Sequence, residues 1–175
     1  MDAAELIRLQ NAGTRLKFLF FWGHQKPGAG YLSQWWPSPF TVDGTIYATA
    51  EHYMMAAKAR LFGDGETAAA VIAASHPREA KDLGRRVRNF DEETWRANRV
   101  AIVTTANEAK FGQNAELRDY LVGTGDRILV EASPLDRVWG IGLAADDPRA
   151  EQVSSWQGEN LLGFALMTVR ATLAS

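Results

Sequence analysis

Residues 40–60 read FTVDGTIYATAEHYMMAAKAR. Two short runs of β-formers flank Asp43-Gly44. That dipeptide suits a two-residue hairpin, because a primed turn needs positive φ at both central positions. Thr49 then stands where its hydroxyl can cap the first free N–H groups of a helix. The stretch therefore predicts a hairpin followed at once by a helix over about 50–62, ended by Gly63-Asp64-Gly65.

Working outward, the helices outnumber the strands. Residues 3–11 have the spacing of a short amphipathic helix, and 66–74 form an alanine-rich one. Ser75 is a candidate cap for the next helix, with Pro77 in its first turn and Gly84 at its stop. Asp91 caps a long helix through about 110, closed by Gly112, and a short one runs over 115–122 to Gly123. Asn160 is positioned to cap a last helix to about 173, with Leu162, Ala165, Leu166 and Val169 on its buried stripe. LKFLFFW (16–22) and RILVEA (127–132) are short and apolar, as buried strands are. Residues 23–39 and 137–160, rich in glycine and tryptophan, read as loops. The strands are not interleaved regularly with helices, so a doubly wound sheet is excluded. The expectation is a mainly α, compact, single-domain fold over residues 1–175 with small β-hairpin and strand elements.

Composition narrows the function. A chain of 175 residues is long enough for a core without staples. The absence of cysteine removes disulfides, thiolate metal sites and a cysteine nucleophile. The apolar runs are far short of the ~20 residues that span a bilayer. MDAAELIRLQ lacks the basic-then-apolar pattern of a signal peptide. A soluble, cytoplasmic protein with no membrane partner is expected. A net charge of −2 argues against a broad nucleic-acid surface.

The opening stretch also carries the candidate chemistry. Glu51 and Lys58 are seven residues apart, two helical turns within roughly 20°, so both can face one cleft about 10 Å apart along the axis. That is too far for an intimate ion pair and suits two ends of a small ligand. The helix N-terminus favours an ionised carboxylate at Glu51. Such a group can stabilise positive charge at a sugar carbon or activate water. It can equally do no more than complement the helix dipole, and the residues alone leave both readings open. His52 points about 100° away from Glu51, which predicts a supporting place at the substrate site rather than the role of general base. The three histidines, His24, His52 and His76, show no metal-ligand spacing, so no metal is expected.

Among six tryptophans, Trp36, Trp139 and Trp156 lie in polar or glycine-bearing contexts, suited either to stacking on a flat heterocycle or to anchoring loops. Trp22 and Trp95 read as core residues. Arg85, Arg86 and Arg88 in LGRRVRNF (83–90) offer guanidinium forks for phosphate, or a basic surface turn. Asp126, Glu131 and Asp136 are loop carboxylates that could orient hydroxyls or a lysine. No phosphate-loop, dinucleotide or serine-hydrolase motif occurs.

Taken together, DGTIYATAEHYMMAAKA, AKDLGRRVRNF, KFGQNAELRDYLVGTGDRILVEASPLDRVWGIG and WQGENLLGFALMTVR resemble the NADAR, or YbiA-like, family of N-glycosidases over roughly residues 18–173. The resemblance implies a compact, mainly α fold and cleavage of N-glycosidic bonds without a metal or redox cofactor. The implied substrates are small ribosylated heterocycles, such as riboflavin-pathway intermediates that yield ribose 5-phosphate. Alternatives are ADP-ribosylated guanine, free or as a nucleic-acid adduct, and a non-catalytic ADP-ribose-binding module. No protein partner is implied. By position, the resemblance gives Glu51, Lys58 and Asp136 catalytic places. It gives Ser33, Trp139, Gly140, Trp156, Gly158 and Asn160 substrate-facing ones, and joins to them Arg85 and Arg86 for the phosphate and Trp36, an addition to the family's early loop, at the pocket rim. Gln34 stands where the family usually has asparagine.

Overall fold

The computed structural model describes residues 1–175. Its backbone packs as two compact units, one made of residues 1–33 and 119–175, the other of residues 34–118. Seven α-helices and four short strands give the mainly α architecture expected from the sequence.

In the first unit, α1 (Ala3–Asn11) starts at Asp2, whose carboxylate accepts from the Glu5 N–H. Strand β1 (Phe18–Phe21) lies parallel to β4 (Ile128–Glu131), with Phe18 opposite Ile128 and Phe21 opposite Glu131. The last helix, α7 (Leu161–Leu173), packs on β4 and buries Leu162, Ala165, Leu166 and Val169. It comes so close that a methyl group at Gly163 would collide with the Leu129 carbonyl.

Asn160 does not cap α7 with its side chain, as its position had predicted. It sits in the left-handed region at φ 53°, and no side-chain cap bond forms. The first N–H groups of α7, those of Leu161 and Leu162, donate to the Val138 and Trp139 carbonyls instead. This frees the Asn160 amide to act as a surrogate peptide on β4. Its Oδ1 accepts from the Glu131 N–H at 3.0 Å, and its Nδ2 donates to the Leu129 carbonyl at 3.0 Å. A strand edge has unpaired donors and acceptors that burial makes costly, and one side chain satisfies two of them.

In the second unit, β2 (Phe40–Val42) and β3 (Thr45–Tyr47) form the expected hairpin. Asp43 and Gly44 both have positive φ, 48° and 76°. The free edge of β2 is closed by the same device: the Gln113 amide accepts from the Thr41 N–H at 2.9 Å and donates to the Thr41 carbonyl at 2.8 Å. Helix α2 (Ala50–Leu61) lies against α3 (Gly65–Ala73), α4 (Pro77–Gly84) and α5 (Glu92–Gln113). Helix α6 (Ala115–Gly123) runs across the sequence boundary between the units.

Three further expectations are corrected. His76, not Ser75, caps α4, because its Nδ1 accepts from the Arg78 N–H while Ser75 bonds Glu79. Helix α5 continues past Gly112 to Gln113, whose side chain is needed at β2. Trp22 is 57% exposed rather than a core residue, whereas Trp95 is buried as read.

The surrogate strand edge predicts that Asn160→Ala, which strands a buried N–H and a carbonyl, lowers unfolding stability by about 2–4 kcal/mol. Urea denaturation followed by circular dichroism measures it. Asn160→Asp cannot donate to Leu129 and is expected to be destabilised as well.

Candidate functional site

The start of α2 concentrates buried polar groups. Glu51 is 3% exposed and His52 is 1% exposed. The Thr49 side chain caps the helix by accepting from the His52 N–H. The Glu51 N–H donates to the Gln34 carbonyl at 3.0 Å, fixing the peptide that carries the carboxylate. The Gln34 side chain is itself held, with its Oε1 accepting from Asn107 Nδ2 at 2.9 Å. Asn107 also donates to the Val103 carbonyl one turn back.

His52 supports this arrangement from the other face of the helix. Its Nε2 lies 3.1 Å from the Ala74 carbonyl, which can only accept, so Nε2 carries the proton. Nδ1, 2.7 Å from the Thr49 hydroxyl, is then the acceptor. Burial pushes the imidazole pKa down, against the opposing pull of the Ala74 bond and Glu79. The ring is a neutral brace between the cap of α2 and the end of α3.

Lys58 is half-buried. Its Nζ donates to the Gly84 carbonyl at 2.8 Å and lies 4.5 Å from the Phe90 ring centre and 5.5 Å from that of Trp95. Desolvation lowers its pKa, and the charges of Glu92 and Glu51 oppose that shift. Glu51 and Lys58 thus feel each other's charge along α2 while Lys58 ties α2 to the end of α4.

The arginines of the 83–90 turn have different tasks. Arg88 is bound to Asp64 through Nη2 at 2.6 Å and through its backbone N–H at 3.0 Å. Those bonds hold the Asp64 carboxyl well below the usual range while it also caps α3. Arg85 pairs with Asp82 at 3.2 Å on the surface. Arg86 is exposed and lines an open cleft with residues of α4. Trp36 is half-buried, and its carbonyl accepts from the Ser38 hydroxyl.

The remaining candidates lie in the first unit. Asp136 Oδ1 accepts from the N–H groups of Val138 and Trp139, both at 2.8 Å, and so shapes the 136–139 turn. The Trp139 indole is half-buried. Gly140 has no room for a side chain because the Glu131 and Asp136 carbonyls press on it, so its role is close internal packing. Trp156 is a loop anchor: its Nε1 donates to the Ala150 carbonyl at 2.8 Å and its ring meets Phe18 edge-on. Asn160 completes the strand edge described above. Ser33 is half-buried and ends a short 3-10 turn.

Sequence reasoning missed the polar inner face of α5. Arg99, Asn107 and Lys110 share the buried stripe with Trp95, Val103, Ala106 and Phe111. Lys110 is completely buried, and desolvation pulls its pKa down to about 7. Its Nζ lies 4.8 Å from the Phe111 ring centre. The available signal was helical spacing, since these polar residues occupy core positions of the 3.6-residue repeat.

A lysine whose pKa is depressed by folding costs the folded state stability as pH falls through the window between its unfolded and folded values, and below that window the whole cost remains. For Lys110 that cost is absent above the unfolded value near 10.4 and grows as pH falls toward 7. The stability of Lys110→Met relative to the wild type is therefore expected to rise as pH falls from 9 to 6. Denaturant midpoints at the two pH values test this.

A family model described as NADAR domain matches residues 20–174. An N-glycosidase of Acanthamoeba polyphaga mimivirus is 44% identical over 161 residues, covering 88% of this chain and 95% of that protein. A riboflavin biosynthesis protein of Vibrio vulnificus is 33% identical over 82% of this chain, which spans 35% of that longer protein. The NMR structure of the E. coli protein YbiA matches with a TM-score of 0.75 at 30% identity, covering 90% of this chain and 85% of that one.

Proposed function

Because the chain belongs to the NADAR domain family, we propose that it is an N-glycosidase that hydrolyses the bond between a ribose phosphate-type sugar and a heterocyclic base. The observation that carries the reading is Glu51, a carboxylate buried in the first turn of α2 with its own peptide fixed by Gln34.

In this reaction the bond from the anomeric carbon to the base nitrogen breaks and its electron pair leaves with the base. The sugar carbon becomes oxocarbenium-like and then takes water, giving a free base and a sugar with a reducing end. Glu51 supplies negative charge to that carbon or accepts the proton of the attacking water. Preorganised charge in a water-poor site is the largest single contribution such a fold can make. Neutral His52 keeps the helix start rigid without competing for the proton. Lys58 supplies positive charge for a leaving group or hydroxyl, and its lowered pKa also favours the amine that can attack an opened sugar aldehyde.

The leading substrate class is the ribosyl phosphates of diaminopyrimidinones. The Vibrio relative named for riboflavin biosynthesis favours it. The test is a panel of those compounds beside guanine-linked ADP-ribose, free and in DNA, with released reducing sugar as readout. Turnover of the ribosyl phosphates is expected. Turnover of the guanine adduct alone would move the substrate class. Cleavage of no N-riboside would leave a binding module. Borohydride added during turnover leaves a sugar mass on a lysine peptide if an imine forms. With no adduct, Lys58 acts by charge and Lys58→Arg keeps part of the activity.

A further inference from the structure

Along α4 and the residues at its two ends lies an open cleft of about 460 Å³, lined by His76, Arg78, Glu79, Asp82, Leu83 and Arg86. Its charges divide unequally. Asp82 is paired with Arg85, and Glu79 accepts from the Ser75 N–H at 3.0 Å and from its hydroxyl. The guanidiniums of Arg78 and Arg86 carry no ion pair and no hydrogen bond. His76 Nδ1 accepts from the Arg78 N–H, which leaves the ring proton of a neutral imidazole on Nε2 as a donor. An open cleft whose two carboxylates are both engaged, Asp82 by Arg85 and Glu79 by Ser75, leaves two unpartnered guanidinium forks and an imidazole donor to receive a compact anion.

The cleft is tied to Glu51 by a short chain of contacts. The Glu51 N–H is held by the Gln34 carbonyl. The next residue, Trp35, meets the His76 ring edge-on at 5.9 Å. On the other side, His76 and Glu79 are near enough to buried His52 for their charges to act on it. Arg78 lies in the first turn of α4 and Arg86 in the turn beyond its end, so they stand at opposite ends of the helix that lines the cleft.

We infer that the Arg78–Arg86 cleft is a subsite for the phosphoryl group on the sugar of a small substrate, with Trp35 between it and the peptide that holds Glu51. Arg78 and His76 join Arg86 in this role, and Arg85, paired with Asp82, does not. A nucleic-acid backbone is the less suitable source, because the chain has a net charge of −2 and the cleft itself keeps two carboxylates. The inference rests on the N-glycosidase reading only for the identity of the sugar.

The test is titration calorimetry with inorganic pyrophosphate, ribose 5-phosphate and a short single-stranded oligonucleotide without terminal phosphates. The proteins are the wild type, Arg78→Gln/Arg86→Gln, and Arg96→Gln as a surface control. Both cleft arginines are exposed and unpaired, so thermal midpoints should not move. Ribose 5-phosphate is expected to bind the wild type and the control alike, and the double variant about 10- to 100-fold more weakly. Equal binding by the double variant, no binding by the wild type, or binding of the oligonucleotide alone would overturn the subsite. Calorimetry needs no turnover, so the two readings fail separately. A protein that cleaves no riboside but loses ribose 5-phosphate in the double variant keeps the subsite. One that cleaves phosphorylated ribosides with an unchanged KM in the double variant keeps only the glycosidase.

Discussion

The hydrogen bond from the Glu51 N–H to the Gln34 carbonyl holds a buried carboxylate where a helix begins. Burying a charge is expensive unless nearby dipoles and bonds receive it. The first turn of α2 offers both the positive end of the helix dipole and unshared N–H groups. Thr49 and His52 stop that turn from fraying, and Asn107 stops Gln34 from moving. Much of the second unit serves this constraint. Helix α5 supplies Asn107, the end of α3 supplies the Ala74 carbonyl, and the end of α4 supplies the Gly84 carbonyl that receives Lys58. A function that uses Glu51 as fixed charge explains why so many polar groups are buried around one helix start.

Both units solve the problem of a short strand edge in the same way. Each strand pair has only two members, so its outer edges would be left with open donors and acceptors. Asn160 and Gln113, each at a helix end, present a side-chain amide to a strand as a peptide would. Very short strands survive beside long helices because helix-end residues finish their ladders.

Local chemistry made much of this legible in the sequence. Asp43-Gly44 fixed the hairpin because few other dipeptides accept two positive φ values. Thr49 and Asp91 marked helix starts because their oxygens reach the orphan N–H groups, whereas the same role of Asp64 at α3 was not read. What escaped was long-range. Asn160 looked like a cap, and only the arrival of the 138–139 carbonyls at α7 shows why its side chain is free for β4. Trp22 ends an apolar run and looked internal, yet the chain turns outward after Phe21. Lys110 and Arg99 were hidden by their residue type, although their spacing along α5 placed them on the buried stripe. At the site, Glu51, His52 and Lys58 were readable from two turns of one helix. Gln34 stood out as a departure from the family pattern, but its partner Asn107 lies 73 residues away in sequence.

The central claim is that Glu51 acts by its charge and not by its place in the helix. Single-turnover cleavage by Glu51→Gln tests it most directly, with substrate affinity and thermal midpoint measured on the same preparation. Glutamine matches glutamate in size and keeps a side-chain acceptor. The account predicts a folded protein with substrate binding retained and a rate lower by about 10²–10³-fold, as when one preorganised electrostatic group is lost. A Glu51→Gln protein that cleaves at the wild-type rate would contradict it and reduce Glu51 to a buried complement of the helix dipole.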